Sequence, residues 1–221
     1  MTRVQSRLLL ATLTVCLTVL AYSAQARPDS EQARAFVYGR IHKVVAILRA
    51  RTMSESLKKA KLRRVLRHTL DIPTIGSRAL GRHYRRASLV QRLRFLKALG
   101  DYLTVAYAVR LASLSSRIPS DLPVEKVILN TGTRPVGRNE IFVASEIHRF
   151  DDEPFSIDWR VRKGKAGLSV VDVKFMGISQ TLALRREFEQ IIRDRGIDGL
   201  IDQLQAITTR LRAKGALAGS R

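Results

Sequence analysis

The hydrophobic period of this chain changes twice, and that change limits its fold more than any single residue does. From about 29 to 114, apolar residues recur every three or four positions, the spacing of helices with one buried face. From about 124 to 175 they alternate instead, as in strands with one buried side. From about 179 onward the helical period returns. Helices, then strands, then helices is an α+β order, and it predicts an antiparallel sheet of about four strands wrapped by helices on its apolar face.

Within the first helical stretch, Ala33, Val37, Ile41, Val44 and Leu48 mark a helix over about 29–50, with Asp29 or Ser30 as its cap. A second covers about 55–69. Asp71-Ile72-Pro73 then stops and restarts the chain, because Asp caps well and Pro fits a first helical turn. Ser88-Leu89-Val90-Gln91 has the form of a capping box and opens the longest helix, to about 114. Its stripe of Leu89, Leu93, Leu96, Leu103, Tyr107 and Leu111 is widened by Phe95, Leu99, Tyr102 and Ala106. So broad a stripe predicts burial over much of the circumference.

Strands are expected at about 124–131, 139–148, 155–162 and 167–175. In the third, Phe155, Ile157, Trp159 and Val161 share one face, and Ser156, Asp158, Arg160 and Arg162 the other. That alternation predicts one apolar and one wet side. Asp151–Pro154 and Lys163–Gly167 read as hairpin connections. Two closing helices, split at Gly196, carry Leu182, Phe188, Ile191 and Ile192, then Ile197, Leu200, Ile201, Leu204, Ile207 and Leu211.

The N-terminus has a different character. Arg3 and Arg7 precede an uncharged apolar run from Leu8 to Tyr22, and Ser23-Ala24-Gln25-Ala26 follows. This is the layout of a secretory signal peptide, cleaved after Ala26. Residues 27–221 then form a single domain, since no repeat, low-complexity tract or long linker divides them. Cleavage removes two arginines and no acid from a chain of net charge +21, so the mature protein stays strongly basic. It also removes Cys16, the single cysteine. An exported basic protein meets anionic lipid or acidic partners rather than chromosomal DNA, and nucleic-acid binding fails on that ground.

Common catalytic signatures are missing. No thiol remains, and there is no nucleophile elbow, phosphate loop or dinucleotide fingerprint. His42, His68, His83 and His148 lie far apart, without metal-ligand spacing. Asp151-Asp152-Glu153 lacks the ligand spacing of a calcium loop and reads as a solvated turn. No metal and no cofactor is implied. From Lys58 to Lys97, by contrast, there are thirteen Lys or Arg residues and one acid, Asp71. Arg82, Arg85 and Arg86 flank Tyr84 in this stretch. It is either a solvated helical face or a patch for an anionic partner.

Two runs of residues resemble a known family. Leu70-Asp71-Ile72-Pro73-Thr74-Ile75-Gly76, followed by Ala79-Leu80-Gly81-Arg82-His83-Tyr84-Arg85-Arg86-Ala87-Ser88, is similar to the central helical motif of the MlaC family, the toluene-tolerance auxiliary proteins. Val170-Val171-Asp172-Val173, Gly177-Ile178-Ser179, Arg185, Phe188, Ile191-Ile192 and Gly196-Ile197-Asp198-Gly199-Leu200-Ile201 continue the resemblance in the same order. It implies a periplasmic protein, not an enzyme, that carries phospholipid between membranes and works with an inner-membrane ABC transporter and its lipid-handling partners. It also implies a curved antiparallel sheet and helices enclosing an apolar cavity. Ile178-Ser179-Gln180 and Arg185–Phe188 look closer to the hopanoid-associated HpnM branch, and Ala183 and Leu184 replace the aromatic and amide residues usual before the family arginine. A hopanoid or another polycyclic lipid therefore stands beside phospholipid as cargo.

An exposed acyl CH₂ costs about 0.8 kcal/mol in water. A chain of about sixteen carbons therefore needs roughly 12 kcal/mol of shielding, which only a deep cavity supplies. The cavity implied by the resemblance would be lined by Val143, Ile157, Trp159, Val161, Val171, Val173 and Phe175 from strands. Leu99, Leu103 and Tyr107 would join them from the long helix. Ordinary core packing is the competing reading for each. Arg185 is the candidate for the mouth, pairing with a headgroup phosphate or a partner, and Arg82 and Arg85 are further candidates for such contacts. Two rival readings remain: a cargo-free adaptor docking through its basic face, and a secreted hydrolase using Asp172 or Glu146.

Overall fold

The computed structural model describes residues 28–114, 128–147 and 154–217. The expected signal segment with its cleavage site, the start of the first strand, the last residue of the second and residues 151–153 of the first hairpin connection lie outside the described residues. Five helices come first: α1 (Ser30–Arg49), α2 (Glu55–Arg67), α3 (Ile72–Leu80), α4 (Arg82–Arg86) and α5 (Leu89–Ala112). Strands β1 (Ile128–Val136), β2 (Glu140–Ile147), β3 (Phe155–Gly164), β4 (Gly167–Phe175) and β5 (Ile178–Ser179) follow, and α6 (Gln180–Leu217) closes the chain.

The caps fall where the side chains dictate. Asp71 Oδ1 accepts from the Thr74 backbone N–H at 3.0 Å, with Pro73 inside the first turn of α3. At α5 the capping box is complete: Gln91 N–H donates to Ser88 Oγ and Ser88 N–H to Gln91 Oε1, both at 3.1 Å. The start of α1 differs, for Asp29 sits at the cap position without a side-chain cap bond.

The five strands form one antiparallel meander in chain order. The two-residue β5 is an addition to the four strands the alternation predicts. Its length gives no period to read. β1 also runs later than expected, to Val136, because a register shift between Asn130 and Gly132 interrupts the pattern there.

Three buried clusters hold these elements. Ala33, Val37, Ile41 and Val45 of α1 lie on one sheet face against Ile141, Val143 and Val161. Beyond them, Leu48 meets Leu62 of α2 and Ala108 and Ala112 of α5. The largest cluster is purely helical: Ile75, Ala79 and Leu80 of α3, Phe95, Ala98, Leu99 and Leu103 of α5, and Phe188, Ile192, Leu200, Ile201 and Leu204 of α6. Phe95 and Phe188 meet edge to face with centroids 5.9 Å apart, an arrangement the ring quadrupoles favour. A Cβ on Gly76 would lie 2.5 Å from Leu96 Cδ2, 3.1 Å from Phe95 Cε1 and 3.2 Å from Leu99 Cδ2, so a larger residue there would push on the side chains of α5. Gly196, at φ 69°, breaks α6 so that its two halves both reach this core.

The second sheet face departs from the expected wet surface. Glu140, nearly buried, is held between Arg78 of α3 and Arg160 of β3. Arg160 Nε donates to its Oε2 at 2.6 Å. Arg162 reaches Asp71 at 3.7 Å and donates to Thr74 Oγ1. The polar residues of β3 thus fasten α3 onto the sheet, and alternation cannot tell a paired charge from a solvated one.

Candidate functional site

The ten apolar candidates separate into two groups. Leu99, Leu103, Val143, Val161 and Val171 are fully packed, none above 3% exposed. Leu99 and Leu103 belong to the helical core, and Val143 and Val161 to the layer under α1. Ile157, Trp159, Val173 and Tyr107 are only half-buried, and Phe175 is 37% exposed.

Four of the half-open residues are neighbours. Trp159 pairs with Val173 and Ile157 with Phe175 across β3 and β4. Directly paired residues share a face, so these four make one apolar patch at one end of the two strands. Trp159 is fixed within it, because its indole N–H donates to Ser145 Oγ at 2.9 Å and Ser145 donates on to the Ile157 carbonyl. Tyr107 of α5 packs instead against the helical core. Burial raises its phenol pKa, and the nearby Tyr102 and Asp172 raise it further, while Arg110 opposes them. Burial likewise raises Tyr102, with Glu187 adding to it.

Beyond the patch the apolar surface continues outward. Met176, Ile178 and Leu182 are each more than half exposed. Met176 turns the chain at φ 48° and Gly177 at φ 78°, a left-handed pair that forms the tip between β4 and β5. The periodic reading missed this tip, and counted Leu182 with the apolar residues of its helix without separating it from the buried ones.

Asp172 anchors that junction. Its carboxylate accepts from the backbone N–H of Val173 at 2.9 Å and of Thr181 at 3.0 Å, and from Ser179 Oγ at 2.6 Å. Ser179 Oγ in turn accepts from Leu182 N–H at 3.1 Å, capping α6. The residue considered as a hydrolytic base therefore has its oxygens committed to a strand–helix joint.

The arginine candidates differ from one another. Arg185 is exposed, and its guanidinium lies against Gly81, where a Cβ would come within 2.7 Å of Nη2. Gly81, at φ 52°, therefore both turns the chain and makes room for that side chain. Arg82 pairs with Glu189, which also accepts from His83 Nε2 at 2.9 Å. Arg85 is exposed and has no ion pair among the described residues. A depression of about 530 Å³ along α6, lined by Arg195, Asp202, Gln203, Ala206, Ile207 and Arg210 among others, is open and of mixed polarity rather than an enclosed apolar cavity. Among the described residues there is no metal-capable cluster of acids, histidines or cysteines, and no helix long and apolar enough to cross a membrane.

A five-stranded meander with helices on both faces and a half-open apolar patch at one end of the sheet defines a small α+β protein. The chain belongs to the MlaC family: the family model described as MlaC protein matches residues 40–206. Membership points to a binding or transport protein. Among solved structures, it is similar to the phospholipid-binding protein from Ralstonia solanacearum, determined in complex with a phospholipid. The two share 20% identity with a TM-score of 0.66, over 80% of this chain and 97% of that one.

Proposed function

We propose that this protein is a periplasmic lipid carrier, exported by a cleaved signal peptide. It shields acyl chains in an apolar cavity and exchanges them with membrane-bound ABC-transporter components. Family membership over residues 40–206 carries this reading. The Ralstonia protein, of the same fold, was determined with a phospholipid bound. The half-open patch of Ile157, Trp159, Val173 and Phe175 supports it within this chain. Val143 and Val161, packed in the same layer as Trp159, then back the cargo, while Leu99 and Leu103 serve the helical core. Arg185, which lies against Gly81, is the candidate headgroup contact.

Phospholipid is the first expectation for cargo. A hopanoid or other polycyclic lipid is the second, favoured by Ile178-Ser179-Gln180 and by Ala183-Leu184 ahead of Arg185. Native mass spectrometry of the purified protein, followed by extraction and identification of any bound lipid, separates the two. Protein that emerges empty and refuses both added phospholipid and added hopanoid would sink the carrier reading.

A further inference from the structure

The first turns of α5 carry an apolar surface that the core does not use. Leu89, Val90 and Leu93 are 69%, 64% and 60% exposed. At positions i, i+1 and i+4 of one helix they form a single arc. This is not a frayed helix end, because the capping box closes it. Arg92 adds a second brace: Nε donates to the Ala87 carbonyl at 3.0 Å and Nη2 to the Arg85 carbonyl at 3.3 Å, with the guanidinium 5.3 Å from the Tyr84 ring centre. The corner between α4 and α5 is thus held rigid with its leucines facing out.

The charge around this corner is positive. Arg85 and Arg86 are exposed immediately before it, and no carboxylate pairs with either among the described residues. The carboxylates brought close by α6 are occupied. Asp198 accepts from Gln91 and Arg94, both at 2.8 Å, and Glu189 is held by Arg82 and His83.

We propose that this corner docks on the surface of an anionic phospholipid bilayer. Leu89, Val90 and Leu93 enter the boundary between headgroups and acyl chains, and Arg85 and Arg86 meet lipid phosphates. Interfacial helices bind by this combination of apolar area and attraction to anionic lipid. The three apolar residues are aliphatic, without the Trp or Tyr anchors that concentrate binding energy at protein interfaces. A fluid lipid surface fits such a set better than an acidic protein does. The docking extends the carrier reading, since a carrier must come to a bilayer, but it does not depend on cargo being held.

The test is flotation of the mature protein, residues 27–221, with vesicles of phosphatidylcholine mixed with phosphatidylglycerol, and with phosphatidylcholine alone. Binding is expected to the mixed vesicles only. With about a five-fold gain per basic side chain at such a surface, Arg85→Gln with Arg86→Gln should weaken it about thirty-fold. Leu89→Ser, Val90→Ser and Leu93→Ser together should weaken it at least about ten-fold. All five side chains are exposed, so circular dichroism should show these variants folded. Leu93→Trp should shift its emission to the blue on mixed vesicles and be quenched by brominated acyl chains, with Trp159, the single native tryptophan, as the control. Failure of the wild type to float, equal flotation of both variants, or an unshifted Leu93→Trp would overturn the docking. Native mass spectrometry on the same samples reads cargo separately. Cargo kept while flotation is lost separates docking from carriage, and an empty protein that still floats removes the carrier reading and leaves the docking intact.

Discussion

The helical core and the open end of the sheet use the same residue types for different ends. Around Phe95, Leu99 and Leu103 every side is occupied, by α3 on one flank and both halves of α6 on the others. Around Ile157, Trp159, Val173 and Phe175, α1 covers only part of the face, and the described residues leave the apolar surface half open. A filled region contributes stability and tolerates little change of volume. A half-open one contributes less and retains capacity for a guest. The comparison teaches that cargo should be sought where apolar side chains are incompletely covered, and that fully buried ones report on folding.

The largest expected effect therefore lies in the core. Phe95→Ala should destabilise by about 3–5 kcal/mol, measured as a lowered urea midpoint. It should lower lipid occupancy only as far as it unfolds the protein, and selective loss of cargo from a stable variant would break the division between the regions. Next comes the joint that ties the open end to α6. Asp172→Ala leaves Ser179 and the Thr181 N–H without their acceptor and should cost about 3 kcal/mol. Asp172→Asn, which keeps one acceptor oxygen, should cost measurably less.

A smaller effect on stability, but a specific one on binding, is expected at the patch. Val173→Asp should lower lipid occupancy about ten-fold, because a charge there faces apolar cargo. Its thermal midpoint should stay close to wild type, since Val173 is only half-buried. The same substitution at Val143, which is 0% exposed, should instead abolish folding. Equal behaviour at both sites would erase the comparison.

The smallest effects are in pH dependence. Tyr107 is held above the ordinary phenol value of 10.0, chiefly by burial. Below that value both folded and unfolded chains are neutral there, and stability does not respond. As pH rises from 10.0 through the folded value the unfolded phenol ionises first, so stability is lost. Tyr107→Phe should remove that alkaline decline, followed by absorbance titration alongside circular dichroism. At the acid end, the hydrogen bond from His83 and the nearby Arg82 hold Glu189 below its ordinary value of 4.5, against a smaller opposing effect of burial. Its contribution is present above 4.5 and lost as pH falls through the folded value. Glu189→Gln should flatten that limb slightly.

Much of the architecture was legible because it depends on neighbours along the chain. Ser88 and Gln91 are three residues apart, and Asp71 and Thr74 likewise, so the starts of α5 and α3 could be read directly. Gly196 announced the break in α6 in the same way. The candidate site was legible only in part. Alternation put Ile157, Trp159 and Val161 on one face, but α1 covers Val161 completely and leaves the other two half-buried. Leu89 and Leu93 carry the same period as Leu96 and Leu103, yet they extend past the end of the helical core and stay exposed. Leu182 is exposed because it lies on the outer side of the first turn of α6.

By itself, the sequence determined the α+β order, the helix starts, the apolar phase of each element and the strongly basic charge. These follow from local backbone chemistry and from periodicity, which depend on residues a few positions apart. The tertiary structure alone decided which apolar residues are filled around and which are left open, that Glu140 draws Arg78 and Arg160 together, and that Asp172 is a joint rather than a base. Those outcomes depend on partners tens of residues away. A hydrophobic period fixes the direction of a side chain and is silent about what stands opposite.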